Sequence, residues 1–141
     1  MRQQRRSRRI AMSEAERDAY LATERTCRVA TVGADGHPHV VPLWFVWDGS
    51  ALWLWSLTRS QRWADVVREP RVSAVVDSGE EYDVLRGVEI SGLAAPTGDG
   101  PRTEFARKYH GSDEFLDDGR HAWLRIEPTK IMSWDFTKIP R

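Results

Sequence analysis

The sequence predicts a mainly β domain: an antiparallel sheet closed into a barrel, with two or three short helices. Three observations point there. Six or seven short stretches rich in β-branched and aromatic residues run through the 141 residues, and turn residues separate them. Most neighbouring stretches have no helical pattern between them. A parallel sheet needs such a crossover helix, so it is excluded. The length is that of one domain with a modest core.

The elements follow in order. Ser13-Glu14-Ala15-Glu16 is a capping box that opens a helix running to about Thr23, with Ala15, Ala19 and Tyr20 as a thin apolar stripe. Thr26 to Val32 reads as a strand, and Ala34-Asp35-Gly36 as a turn in which Gly36 can take φ > 0. His37 to Trp47 is the next strand, and Pro42 inside it predicts an edge, a bulge or a bend. Asp48-Gly49 turns the chain into Ala51 to Leu57. Ser60 caps a helix from Gln61 to about Arg68, stopped by Glu69-Pro70. Strands over Arg71 to Asp77 and Leu85 to Ala95 follow; the second alternates Val88 and Ile90 against Glu89 and Ser91. Pro101 starts a helix that reaches about Tyr109 and ends at Gly111. His121 to Ile126 and Lys130 to Phe136 are the last two strands.

Composition narrows the class. No apolar run approaches the ~20 residues of a membrane span. Cys27 is the only cysteine, which excludes an internal disulfide and a cysteine-cluster metal site and fits the cytoplasm, the expected location. The net charge is zero, but residues 1–11 carry five arginines and no acid, leaving 16 basic against 21 acidic residues, a net of −5. Residues 1–12 are expected to be a basic, disordered leader and residues 13–141 the domain. Paired arginines without a following apolar stretch argue against a secretory signal. A nucleic-acid or membrane contact is the alternative role for the tail. Trp53 and Trp55 share a strand face and are expected in the core or at a dimer interface. Trp44 and Trp47 face opposite ways, so one is free to line a ligand pocket.

The chain has no nucleophile elbow, His-Glu-x-x-His, P-loop or G-x-G-x-x-G. His37 and His39 share a strand face, but no third metal ligand is evident, and surface histidines beside a turn are the simpler account. The informative stretch is Ser56-Leu57-Thr58-Arg59-Ser60-Gln61-Arg62. It follows a strand and opens a helix, where free N–H groups and the helix dipole favour an anion. Thr58 and Ser60 add hydroxyls, and Arg59 and Arg62 add forks that match phosphate. Arg68 and Arg71 lie along the same helix and can extend the basic strip. A capped surface helix with ordinary arginines is the alternative.

From about Ser13 to Arg141 the chain resembles the pyridoxamine phosphate oxidase-like split-barrel superfamily, and within it the branch of flavin- and deazaflavin-dependent oxidoreductases. The stretches that carry the resemblance are 29–42 (Val-Ala-Thr-Val-Gly-Ala-Asp-Gly-His-Pro-His-Val-Val-Pro), Thr58 to Arg62, Arg68 to Ser73, Tyr82 to Val88, and Ser133-Trp134-Asp135-Phe136. It implies a six-stranded antiparallel split barrel of Greek-key type, a homodimer, and two cofactor sites at the subunit interface. Ser60-Gln61-Arg62 takes the place of the family's Ser-x-Lys phosphate grip. The isoalloxazine ring maps to Val41, Pro42, Leu43 and Trp44, and Trp134 to a position facing the partner's cofactor. The cofactor-binding residues expected are these five with Ser56, Thr58, Arg59, Ser60, Gln61 and Arg62. Coenzyme F420 is the expected cofactor, because its phosphate and polyglutamate tail suit a basic strip; flavin mononucleotide is the alternative. The expected activity is hydride transfer to a small conjugated or heteroaromatic substrate. The alternatives are a flavin mononucleotide-dependent oxidase or reductase of the pyridoxamine phosphate oxidase type, and a non-catalytic flavin or tetrapyrrole carrier. No catalytic residue is assigned; His39 and Tyr82 are candidate proton donors.

Overall fold

A computed structural model of the chain describes residues 8–140. Helix α1 (Glu14–Thr23) begins at the capping box: Ser13 Oγ accepts from the Glu16 N–H at 3.1 Å, and Glu16 Oε1 accepts from the Ser13 N–H at 2.9 Å. Strands β1 (Cys27–Val32), β2 (Pro38–Leu43), β3 (Phe45–Trp47) and β4 (Leu52–Leu57) precede helix α2 (Gln61–Arg68). Strands β5 (Arg71–Ser78) and β6 (Arg86–Thr97), helix α3 (Arg102–His110) and strand β7 (His121–Asp135) complete the chain. All pairings are antiparallel, in the order β2-β1-β5-β6-β7-β4-β3, a curled seven-stranded sheet.

Two strand assignments change. The stretch His37 to Trp47, expected as one strand, is two strands at opposite edges of the sheet. Pro42 has no N–H for the ladder, which suits an edge strand. Trp44 carries the chain from one edge to the other. Tyr109 fills the seam: its hydroxyl accepts from the Phe45 N–H at 2.9 Å and shares its proton between the carbonyls of Arg25 and Phe45. Conversely, His121 to Asp135 is one strand of 15 residues rather than two. Ser91 pairs with Lys130 and Gly92 with Pro128, so Thr129 is the extra residue of a bulge that lets β7 bend without ending. A side chain at Gly92 would collide with the Glu127 carbonyl there.

The alternation read from the sequence decides what is buried. Val88 and Ile90 point inward at 1% exposure each, with Val29, Ala74, Val76, Leu52, Leu54, Leu124 and Ile126. Tyr20 and Leu21 of α1 and Val66 of α2 close this core. Each such aliphatic side chain contributes roughly 1.5–3 kcal/mol by leaving water. A second, aromatic cluster lies under α3: Val46, Phe105, Tyr109 and Trp123, with Trp53, Trp55 and Phe115 against it. The turn at Gly36 has φ 82° and α3 ends on Gly111 in the left-handed region, as their sequence contexts predict.

The chain joins this body from Ile10, ahead of Ser13. The Ile10 carbonyl accepts from the Asp135 N–H at 2.7 Å, and the Met12 N–H donates to Ser133 Oγ at 2.9 Å. Most of the basic leader expected over residues 1–12 lies outside the described residues. No helix among the described residues is long and apolar enough to cross a membrane.

Candidate functional site

The head of α2 presents unpartnered backbone donors beside arginine side chains. Ser60 Oγ accepts from the Trp63 N–H at 3.2 Å and donates to the Leu57 carbonyl at 2.8 Å, so its hydroxyl works as the helix cap. The N–H groups of Gln61 and Arg62, in the first turn, have no intrahelical partner to reach. No acidic residue stands in that turn. Ser56 is fully buried and accepts from Arg62 Nε at 3.0 Å, which aims the guanidinium. Desolvation lowers the pKa of Arg62, because burial disfavours its charged form. Thr58 is tied by its N–H to the Arg120 carbonyl at 3.0 Å, which brings the 119–120 loop alongside. Leu57, Thr58, Arg59, Ser60, Gly119 and Arg120 line a depression of about 390 Å³.

Among the described residues no carboxylate pairs with Arg59, Arg62 or Arg120, whereas Arg17, Arg28, Arg68, Arg71, Arg107 and Arg125 each meet one, and Arg25, Arg86 and Arg102, also without a carboxylate, lie over aromatic rings. Arg68 and Arg71, expected to lengthen the basic strip, are held by Asp65 and Glu69. A half-buried guanidinium without a counter-charge is costly, and an incoming anion offsets that cost.

The depression adjoins an aromatic basket of about 480 Å³ through one cross-strand pair, Leu57 with His121. Pro42, Leu43, Trp44, Trp55, Phe105 and Phe115 are among its walls, and Thr26, His110, Leu116 and His121 complete it. Trp44 stacks on Tyr109 at 4.3 Å between centroids, and Trp55 meets Phe115 edge-on at 4.9 Å. Flat, apolar walls of this size fit a planar ring.

Pro42, Leu43 and Trp44 line the basket and Thr58, Arg59 and Ser60 the depression, while Gln61 and Arg62 follow in the first turn of α2 outside both linings, with Ser56 behind Arg62. Val41 lies beside them on β2, half-buried, outside the basket lining. Trp134 lies at the other end of β7, over Gly87, in a groove with Tyr82, Phe136 and Ile139. Tyr82 is 73% exposed and belongs to that groove, so in a single chain it does not meet the basket. His39 turns toward α2, its Nδ1 3.9 Å from Asp65 Oδ2 and without a hydrogen-bond partner. Asp65 is itself buried and accepts from Thr31 Oγ1 at 2.8 Å, anchoring α2 to β1. Among the described residues no group of three metal-ligating side chains forms.

Sequence reasoning missed Arg120, Phe105, Phe115, His110 and His121. They come from α3, the loop after it and the first residue of β7, distant in the chain. The one local signal was Asp117-Asp118-Gly119-Arg120-His121, a turn that delivers an arginine and a histidine to a strand start.

Residues 13–135 match the pyridoxamine 5'-phosphate oxidase family. The chain belongs to this family. A 5a,11a-dehydrotetracycline/5a,11a-dehydrooxytetracycline reductase of Streptomyces rimosus is 33% identical over 121 residues, covering 82% of this chain and 78% of that protein. A conserved hypothetical protein of Mycobacterium tuberculosis superposes with a TM-score of 0.83 at 30% identity, over 100% of this chain and 95% of its own. An F420 reductase superposes with a TM-score of 0.67 over 81% of this chain and 94% of its own, and at 24% identity it shares the fold.

Proposed function

We propose that this family member is an oxidoreductase that binds coenzyme F420 and reduces a small conjugated or heteroaromatic substrate in the aromatic basket. The observation that carries this is the head of α2: three arginines without carboxylate partners beside a helix start that has no acid of its own. That is more positive charge than one phosphate requires, and it suits a phosphate followed by a glutamate tail better than it suits flavin mononucleotide. The family match and the name of the Streptomyces relative support the oxidoreductase class and a conjugated substrate.

Arg62, Arg59, Arg120 and the first N–H groups of α2 would hold the phosphate. Pro42, Leu43, Trp44 and Trp55 would flank the ring. In its reduced form the coenzyme supplies hydride. The chain's own part is to orient two flat molecules face to face and to keep water from between them. Ser56 positions Arg62, and Tyr109 keeps the β2–β3 seam, and with it Trp44, in place.

A homodimer belongs to the same proposal. The apolar groove of Trp134, Tyr82, Phe136 and Ile139 and the exposed Leu116 on the basket rim suit a second copy. The cytoplasm is the proposed location, consistent with the single buried thiol.

The test is fluorescence titration of the purified protein with F420 and with flavin mononucleotide, followed by turnover with 5a,11a-dehydrotetracycline and other conjugated ketones. Tighter binding of F420 with reduction of at least one ketone is expected. Binding of neither cofactor would overturn the proposal.

A further inference from the structure

The basket contains one side chain in an arrangement that its aromatic neighbours lack. His121 Nδ1 lies 2.6 Å from Asp118 Oδ2. Asp118 Oδ1 accepts the N–H groups of Arg120 and His121 at 2.9 and 3.0 Å, so the tight turn itself sets the carboxylate. Those backbone hydrogen bonds hold the Asp118 carboxyl below its ordinary pKa, and it stays ionised. An ionised oxygen at that distance requires the proton on Nδ1, which leaves Nε2 as the atom free to exchange. None of the described residues hydrogen-bonds Nε2. The ring is held on its face by Trp55, at 5.6 Å between centroids and 17° between planes. It is partly buried and lines the basket directly.

We propose that His121, oriented by Asp118, is the proton donor of the reduction, a catalytic residue acting through Nε2 on a conjugated carbonyl substrate. This rests on the reductase function proposed above. Hydride arriving at the β-carbon forms a C–H bond there, and the C=C electron pair moves toward the carbonyl oxygen. The Nε2–H bond of the imidazolium breaks, and its proton goes to the resulting enolate. The substrate has then gained one hydride, which the reduced cofactor gives up, and one proton, which His121 gives up, and solvent returns a proton to Nε2. The charged and titratable groups around the ring are Asp118 and Arg120 in its own turn, Arg59 at the head of α2, and His110 of α3 across the basket. Of the two basket histidines, only His121 has a carboxylate to orient it among the described residues.

The experiment uses wild type, His121→Gln and Asp118→Asn. The first readout needs no cofactor: ¹⁵N imidazole spectra of the free protein followed across pH are expected to show Nδ1 of His121 protonated throughout and the exchanging proton on Nε2 in wild type, and a mixture of tautomers in Asp118→Asn. The second is F420 affinity, which separates a loss of binding from a loss of the proton-donating step. The third is single-turnover reduction of the conjugated ketone. A good general acid contributes at least on the order of 100-fold, so His121→Gln is expected to lose about that in kcat with little change in KM. The alkaline limb of its pH profile should vanish as well. An Nε2–H tautomer in wild type, or a His121→Gln rate within about threefold of wild type, overturns the proposal. If wild type binds neither cofactor, the reductase function falls and the donor role falls with it. That outcome is distinct from intact binding and equal rates, which removes His121 alone.

Discussion

Helices α1 and α2 start with the same residue and end up with opposite electrostatics. Both are capped by serine, Ser13 and Ser60, whose hydroxyls accept from the third helical N–H. In α1 the first turn carries Glu14 and Glu16, and Glu16 also closes the capping box and meets Lys138 at 2.7 Å. Its dipole is neutralised by its own side chains. In α2 the first turn has no acid and contains Arg62, and Arg59 and Arg120 line the depression beside its cap. A helix head without internal compensation, beside arginines that meet no carboxylate, is the feature on which the proposed cofactor site rests. The serine marks where a helix begins; the missing acid marks which beginning is left uncompensated.

The sharpest way to break the contrast is Arg62→Ala. It should weaken cofactor binding by about 1.5–3 kcal/mol, or ~10–150-fold in Kd, because a charge-assisted bond to phosphate is lost. The melting temperature should hold, and unchanged affinity would move the phosphate elsewhere. Ser13→Ala acts on the other helix. It should cost about 0.5–2 kcal/mol of stability in denaturant unfolding and leave cofactor affinity alone. Gln61→Glu makes α2 resemble α1. An acid in the first turn should add about 0.3–1 kcal/mol of stability and weaken anion binding several-fold. If stability and affinity rise together, the trade-off between compensation and binding is wrong.

The smallest effect is on acid stability. The hydrogen bond from Lys138, followed by those from Ser13, lowers the Glu16 pKa to about 2 from an ordinary 4.5. A depressed carboxylate stabilises the fold above pH 4.5 and loses that contribution as the pH falls toward 2. Wild type and Glu16→Gln should therefore differ in unfolding midpoint at pH 6 and converge near pH 2. Because Glu16 is exposed to solvent, salt should shrink the difference.

Most of the elements were legible because their signals are local. Alternation of Val88 and Ile90, the Ser13 box and the Gly36 turn each act over a few residues. The two errors were failures of locality. His37 to Trp47 is uniformly β-prone, and nothing inside it says that its halves belong to opposite edges of one sheet. Tyr109, some sixty residues on, holds that seam. Glu127-Pro128 looks like a strand end, but a bulge opposite Gly92 absorbs it. Arg59 and Arg62 could be placed at a helix start from sequence. Their lack of carboxylate partners could not, because Arg68 and Arg71 look the same in the sequence and are paired in space.

The sequence by itself determined the fold class, the two serine caps and the stretch from Ser56 to Arg62 as the place to look. Short-range physics suffices for these: side-chain periodicity, capping and turn chemistry. Only the tertiary structure decided which arginines remain uncompensated, that β2 and β3 part at Trp44, and that Phe105, Phe115 and His121 complete a basket beside the head of α2. Charge pairing and cavity walls depend on which distant segments meet. That is set by closure of the sheet, not by any neighbour along the chain.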